Sequence, residues 1–223
     1  MSANILEKLD KDHFRKNLIK YTKQAYQMLP EMDNPNILDI GCGSGIPTIE
    51  LANLSNGYII GLDIDQSSLD KLNKRIKKAQ LLDRVKTVKG SMLELNFPAE
   101  SFDIIWAEGV IAQIGFKTGL VEWGRFLKHN GFLVIHDDAT NLIEKLKMIS
   151  DCGYNLIGHF RLPKDAWWVD YYEPLEKRVS ELRRKYRANN NFLRELDKTQ
   201  KEIDSFRKFP EFTSVFFIMQ KKK

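Results

Sequence analysis

Residues 37–45 read Ile-Leu-Asp-Ile-Gly-Cys-Gly-Ser-Gly, an apolar run that leads into three glycines placed at every second position. The apolar run from Asn36 to Ile40 predicts a short buried strand, and residues 48–54 predict a helix behind it. Glycine tolerates positive φ and lets a ligand approach the backbone closely. The stretch therefore predicts a strand–turn–helix unit with a ligand site outside the carboxyl end of the strand, against a helix N-terminus.

Strand and helix patterns alternate after this unit. Further strands are predicted at 58–62, 85–88, 102–106, 132–136, 154–161 and 213–219, and helices at 66–79 and near 120–127. The alternation indicates βαβ units, so the fold class is α/β: a mostly parallel sheet of seven strands with helices on both faces.

Two segments fall outside the alternation. Residues 4–29 have a helical pattern, and about fifty residues separate the last two strands and carry two amphipathic helical patterns. We predict a cofactor-binding domain at 36–161 and 211–223 with a helical insertion at 162–210. By analogy, residues 1–35 form an N-terminal helical lid and the insertion forms a cap over the substrate.

Composition restricts the classes of function. The net charge is +5, and from Arg161 onward sixteen Lys and Arg face ten Asp and Glu, so the C-terminal third is basic. A basic third suits an acidic partner such as RNA, but it also suits a solvated helical face, which we favour. The only cysteines, Cys42 and Cys152, favour a cytoplasmic protein, and no metal-ligand spacing or membrane-spanning run is present.

The spacing of the glycines separates two classes of cofactor. A dinucleotide fingerprint, G-x-G-x-x-G, needs its third glycine at Ile46, whereas here it comes one residue earlier, at Gly45. Asp39 stands two residues before Gly41. This D-x-G-x-G-x-G pattern resembles motif I of the class I, Rossmann-like S-adenosylmethionine-dependent methyltransferases. The resemblance covers about residues 36–138 and is greatest to small-molecule methyltransferases of the ubiquinone/menaquinone-biosynthesis type.

The resemblance implies S-adenosyl-L-methionine as cofactor, a seven-stranded sheet with an antiparallel last strand, and a set of binding residues. In it, Asp63 accepts hydrogen bonds from the ribose and Ile64 covers the adenine. Many relatives carry Gly-Asp-Ala where this chain has Gly90-Ser91-Met92, which leaves the adenine contact to the Ser91 hydroxyl or to backbone groups. The implied cofactor residues are Asp39, Gly41, Gly43, Gly45, Asp63, Ile64, Ser91, Met92 and Glu108.

Methyl transfer needs positioning more than it needs a base, so a catalytic base is optional. Glu108 and His136 follow the fourth and fifth strands and are the candidates for such a base, although Glu108 also suits a binding role and His136 a structural one. The aromatic residues Trp167, Trp168, Tyr171 and Tyr172 at the start of the insertion are candidates for contact with the substrate, with packing as the alternative.

The favoured function is methylation of a small-molecule acceptor by in-line displacement. RNA or protein methylation through the basic C-terminal third, and cofactor binding without catalysis, remain alternatives. The fourth strand ends in Trp106-Ala107-Glu108-Gly109 and lacks the Asn/Asp-Pro-Pro-aromatic tetrad of adenine and glutamine methylating enzymes. Nucleic acid is therefore not the favoured partner. The helical insertion is compatible with a homodimer interface as well as with a cap over the substrate.

Overall fold

The computed structural model describes residues 7–222 of the chain and divides them into two compact units. One unit holds Lys20–Leu162 and the residues from Ser214 onward, and it contains the sheet. The other holds the described residues up to Ile19 together with Pro163–Thr213, and it is helical.

The sheet has seven strands in the order β3-β2-β1-β4-β5-β7-β6. They are β1 (Asn36–Ile40), β2 (Tyr58–Asp63), β3 (Val85–Lys89), β4 (Phe102–Glu108), β5 (Leu127–Asp138), β6 (Tyr154–Arg161) and β7 (Ser214–Lys221). Strands β1 to β5 pair in parallel, whereas β7 runs antiparallel to both β5 and β6. The predicted α/β, Rossmann-like fold with an antiparallel last strand is confirmed.

One helix precedes the first strand of the sheet unit, and further helices connect its strands. They are α2 (Ile19–Gln27), whose first residue belongs to the other unit, α3 (Ile46–Leu54), α4 (Gln66–Lys78), α5 (Phe116–Gly124) and α6 (Leu142–Asp151). The sequence pattern did not predict α6, because its apolar positions are mixed: Ile149 is buried but Ile143 is 81% exposed. In α4 the pattern is clean, since Leu69, Leu72 and Ile76 are all buried.

The strands bring their polar ends to one edge of the sheet. Because β1, β2 and β4 are parallel, the glycine turn after Ile40, the carboxylate of Asp63 and that of Glu108 all follow carboxyl ends at that edge. Strand β6 ends and β7 begins at the same edge, as the pairings of Asp138 with Ser214 and of Arg161 with Val215 show. The chain therefore leaves the sheet and re-enters it at the edge that carries the glycine turn.

The helical unit contains α1 (Lys11–Arg15), a 3-10 turn (Lys16–Leu18), a π-helical turn (Trp168–Tyr172), α7 (Glu173–Lys185) and α8 (Asn190–Arg207). Asp10 has a φ of 45°, so the helix predicted over 4–29 is interrupted there, and the part of that prediction before residue 7 lies outside the described residues. Buried Leu175, Val179 and Leu182 mark the predicted apolar face of α7. Among the described helices, none is long and apolar enough to cross a membrane.

Candidate cofactor and catalytic site

The three glycines of the turn after β1 all have positive φ, between 53° and 82°. Two of them are also required by packing, since a Cβ on Gly41 would lie 2.5 Å from Val110 Cγ1 and one on Gly45 would lie 2.1 Å from Leu72 Cδ1. Gly43 differs, because a Cβ there would meet no atom within 4 Å. The space in front of Gly43 is thus open to a ligand.

Asp63 ties the glycine turn to the end of β2. Its Oδ2 accepts a hydrogen bond from the Gly43 N–H at 2.8 Å, and its Oδ1 accepts one from the Asp65 N–H at 2.8 Å. A carboxylate has about four lone-pair positions, so each oxygen can accept a further donor. The predicted position of Asp63 beside the turn, with capacity for hydroxyl donors, agrees with this geometry.

A cavity of about 240 Å³ lies beside Asp63. Its apolar side chains include Ile64 and Leu93, which are 68% and 70% exposed and would be covered by a bound planar ring. The lining residues are Gly41, Leu62, Asp63, Ile64, Gly90, Ser91, Met92, Leu93, Val110, Gln113 and Ile114. Of the residues that the sequence assigns to the cofactor, the cavity brings together Gly41, Asp63, Ile64, Ser91 and Met92.

The Ser91 hydroxyl and the Met92 carbonyl in this cavity both have partners within the protein. Ser91 Oγ accepts a hydrogen bond from the Leu93 N–H at 3.1 Å, and the Met92 carbonyl accepts one from Trp123 Nε1 at 3.2 Å. The side chain of Gln113 makes no hydrogen bond to any described residue. The amide of Gln113 is thus available to a ligand as both donor and acceptor.

Asp39 lies beneath the turn and not in the cavity. Its side chain is buried, and its Oδ2 accepts a hydrogen bond from Thr48 Oγ1 of α3 at 2.6 Å. Burial raises the pKa of Asp39 from 3.8 to about 7, the hydrogen bond from Thr48 opposes this rise, and the charges of Glu108 and Asp63 add to it. A carboxylate held in this way fixes the start of α3 against the end of β1.

Glu108 belongs to a hydrogen-bonded group at the end of β4. Its Oε1 accepts from Thr22 Oγ1 of α2 at 2.8 Å and from Trp106 Nε1 at 2.9 Å. These contacts fix the orientation of the carboxylate, which is half-buried. Glu108 is not among the residues that line the cavity beside Asp63.

His136 lies in the core of the sheet unit, with 5% of its surface exposed. Its Nε2 is 2.8 Å from Ser214 Oγ on β7, and its ring stacks on Phe216 with centroids 4.3 Å apart. It pairs in register with Glu108 on the neighbouring strand. The arrangement ties β5 to β7 and leaves the imidazole little contact with solvent.

The four aromatic residues predicted to contact the substrate all lie in or beside the π-helical turn of the helical unit, and they have different surroundings. Trp167 and Tyr172 line a cavity in that unit, whereas Tyr171 is buried at 8% exposure. Trp168 lies under the Arg207 guanidinium, whose carbon is 4.7 Å from the ring centre. Trp167 and Tyr172 thus line a cavity, whereas Trp168 and Tyr171 pack against other side chains of the helical unit.

Sequence reasoning missed Thr22, Thr48 and Gln113. The first two hold Glu108 and Asp39 from helices, and nothing in the linear pattern marks a threonine as the partner of a carboxylate on another element. Gln113 lies on a 3-10 turn (Ile111–Gln113) after β4. Among the described residues, no group of three or more His, Cys, Asp or Glu is placed to hold a metal ion.

Residues 37–131 match a protein family described as a methyltransferase domain. The matched segment runs from β1 into β5 and so contains the glycine turn, Asp63, the cavity beside it and Glu108.

Two curated relatives each match part of the chain. A 27-O-demethylrifamycin SV methyltransferase from Amycolatopsis mediterranei is 35% identical over 119 residues, which are 53% of this chain and 44% of the relative. A sterol 24-C-methyltransferase from Debaryomyces hansenii is 32% identical over 107 residues, 41% of this chain and 28% of the relative. The chain thus spans less than half the length of either.

The crystal structure of the cyclase SpnF is similar with a TM-score of 0.76 at 15% identity, and the match covers 91% of this chain and 80% of SpnF. At that identity the likeness shows a shared fold, and a fold hosts many activities.

Proposed function

We propose that the chain, whose residues 37–131 match a family described as a methyltransferase domain, transfers a methyl group from S-adenosylmethionine to a small-molecule acceptor. The observation that carries the proposal is the open space in front of Gly43, next to a carboxylate that already holds the Gly43 N–H. A ligand with hydroxyl groups and a flat ring fits that carboxylate and the exposed Ile64 beside it. Membership of the narrower ubiquinone/menaquinone-biosynthesis type stays a prediction.

The proposal gives the residues of the glycine turn and of the cavity beside it distinct parts in binding. Asp63 accepts hydrogen bonds from the two ribose hydroxyls, while Ile64 covers one face of the adenine. Gly43 and Gly41 bring the backbone close to the methionine part, and Asp39 and Gly45 keep the turn in shape. Ser91 and Met92 form the wall of the adenine cavity.

When bound, S-adenosylmethionine supplies an electrophilic methyl group on a sulfonium, which an acceptor attacks in line with the carbon–sulfur bond. The protein contributes by holding the acceptor in place, and such positioning can lower the barrier by about 7–11 kcal/mol. We assign Glu108 an orienting and binding role, because Thr22 and Trp106 already hold its carboxylate. His136 receives no part in proton transfer, since it is buried between Ser214 and Phe216.

Methylation of RNA or protein through the basic C-terminal third is the weaker proposal, because many cations of the helical unit already pair with carboxylates. Arg207 bonds Glu176 at 2.7 Å and Arg183 bonds Asp197 at 2.5 Å. Further such pairs among the described residues of this unit are Lys11–Glu202, Lys164–Glu211, Lys177–Glu173, Arg178–Glu181, Lys198–Glu195 and Arg207–Asp204. Retention on heparin that falls steeply with salt would favour the nucleic-acid partner instead.

We propose a small acceptor because two relatives that match part of this chain are named for the methylation of small molecules, a rifamycin and a sterol. Trp167, Trp168, Tyr171 and Tyr172 stay candidates for contact with the acceptor, and Trp167 and Tyr172 line a cavity within the helical unit. The cytoplasm is the proposed compartment, because Cys42 and Cys152 are both free thiols. Dimerisation through the helical insertion stays a prediction that light scattering checks.

Calorimetric titration tests the cofactor first, with S-adenosylmethionine, S-adenosylhomocysteine and NAD in parallel. We expect micromolar binding of the two sulfur ligands and none of NAD. Binding of NAD alone, or of no ligand, would contradict the proposal. Turnover is then tested by a screen of small molecules with a radiolabelled methyl donor, where transfer of label into RNA or protein but into no small molecule would support the alternative.

A further inference from the structure

A second cavity, of about 390 Å³, lies wholly within the helical unit and has no part in the cofactor site. Five aromatic rings line it, those of Trp167, Tyr172, Phe206, Phe209 and Phe212. Its volume is within the range of about 300–1,000 Å³ that is usual for small-molecule sites.

Four of the five rings form a continuous wall. Tyr172 stacks on Phe206 with centroids 4.1 Å apart, Phe206 meets Phe212 edge-on at 5.5 Å, and Trp167 lies 6.3 Å from Phe212. The fifth ring, Phe209, is 65% exposed. A large exposed aromatic side chain at the mouth of an aromatic cavity loses contact with water when an apolar ligand covers it, which favours binding.

The charges around the cavity decide which apolar ligand fits. A cation would be attracted to ring faces and to Glu202, which also lines the cavity. However, Lys11 Nζ already lies 2.5 Å from Glu202 Oε2, and the Arg15 guanidinium carbon is 5.2 Å from the centre of the Trp167 ring. A cationic ligand would have to compete with both side chains, whereas a neutral or anionic one would not.

We propose that this cavity binds a neutral or anionic small molecule with a flat or fused ring system. The proposal goes beyond the proposed function, because it assigns a ligand site to the helical unit that does not depend on the cofactor. Binding itself is tested without the cofactor, so the two proposals fail separately.

The test is a fluorescence titration of the full-length chain with 1-anilinonaphthalene-8-sulfonate, an anionic probe with fused rings. We expect saturable binding at one site with micromolar affinity. Phe209→Ser removes an exposed ring from the lining. We expect it to weaken binding about tenfold, because the bound ligand then covers one large apolar side chain fewer. Ser205→Trp, which fills the cavity from α8, is expected to weaken binding at least as much.

Val169→Ser is the matched control. Val169 is 51% exposed in the same unit but does not line the cavity, so its replacement is expected to change the affinity by less than twofold. Thermal denaturation of each variant checks that the unit stays folded. Equal losses in the Phe209 and Val169 variants, or no saturable binding at all, would overturn the proposal.

Two further outcomes distinguish the alternatives. Displacement of the probe by phenyltrimethylammonium at similar concentrations would overturn the preference for a neutral or anionic ligand. If S-adenosylhomocysteine binds but the probe does not, this inference fails alone. If the probe binds as expected but S-adenosylhomocysteine does not, the cavity stands and the proposed methyl transfer fails.

Discussion

Replacement of Gly43 by alanine separates a glycine that a ligand requires from one that the fold requires. Gly43 has a φ of 53° and open space where a Cβ would lie. Gly153, in the turn before β6, has a φ of 86° and equally open space, but it lies outside the glycine turn that follows β1. The two alanine variants therefore differ in what lies in front of the new methyl group when the ligand is bound.

The expected cost to stability is similar in both variants. An alanine in the left-handed region costs about 1–2 kcal/mol, and loss of chain entropy in the unfolded state returns about 0.4–1 kcal/mol. A net loss of about 1 kcal/mol lowers the melting temperature of a chain of this size by roughly 2–4 °C. Both proteins should stay folded at room temperature.

The expected cost to binding differs sharply. In Gly43→Ala the methyl group occupies the space assigned to the cofactor, and overpacking of this kind costs about 1–3 kcal/mol. The affinity for S-adenosylhomocysteine should therefore fall roughly 5- to 150-fold in calorimetry, while Gly153→Ala should bind as the unaltered chain does. Gly45→Ala places its methyl group against buried Leu72 and should lose stability as well as binding.

Affinity of the Gly43→Ala protein within threefold of the unaltered chain would show that no ligand lies against this turn. An equal loss in the Gly153 variant would also refute the reasoning, because that loss would come from backbone strain and not from contact with the ligand.

Three other variants test single groups of the same site. Asp63→Ala should weaken S-adenosylmethionine binding at least tenfold in calorimetry, because it removes the acceptor for the ribose and also the partner of the Gly43 N–H; unchanged affinity would exclude the assignment. Gln113→Ala should weaken binding about two- to tenfold, the value of one or two hydrogen bonds, whereas Gln24→Ala, an exposed residue of α2, should not; equal effects would remove Gln113 from the site. Folding raises the pKa of Asp39 to about 7 from an unfolded value of about 3.9. Ionisation of Asp39 therefore lowers the free energy of unfolding. This loss of stability grows from about pH 4 to about pH 7 and stays constant at higher pH. Asp39→Asn should therefore raise the free energy of unfolding in urea at pH 8, by at most about 4 kcal/mol, and should change it little at pH 4; a destabilised variant at pH 8 would contradict the account.

The sequence by itself determined the fold class and the place of the cofactor turn. The strand before the glycines and the alternation of elements are local patterns, since each strand is short, apolar and bounded by turn residues. The position of Asp63 at the end of β2 follows from the same alternation. Such features depend on neighbours along the chain, and the chain itself displays them.

Only the tertiary structure decided how polar side chains from distant elements meet. Asp39 turned out to lie under the turn with Thr48, and Glu108 is held by Thr22, which is 86 residues away in the chain. The four aromatic residues before α7 share one stretch of sequence, yet Trp167 and Tyr172 line a cavity while Tyr171 is buried. A side chain reaches a ligand only if its turn points it toward the ligand and if no other element supplies a partner that holds it elsewhere. The local sequence pattern predicts neither of these.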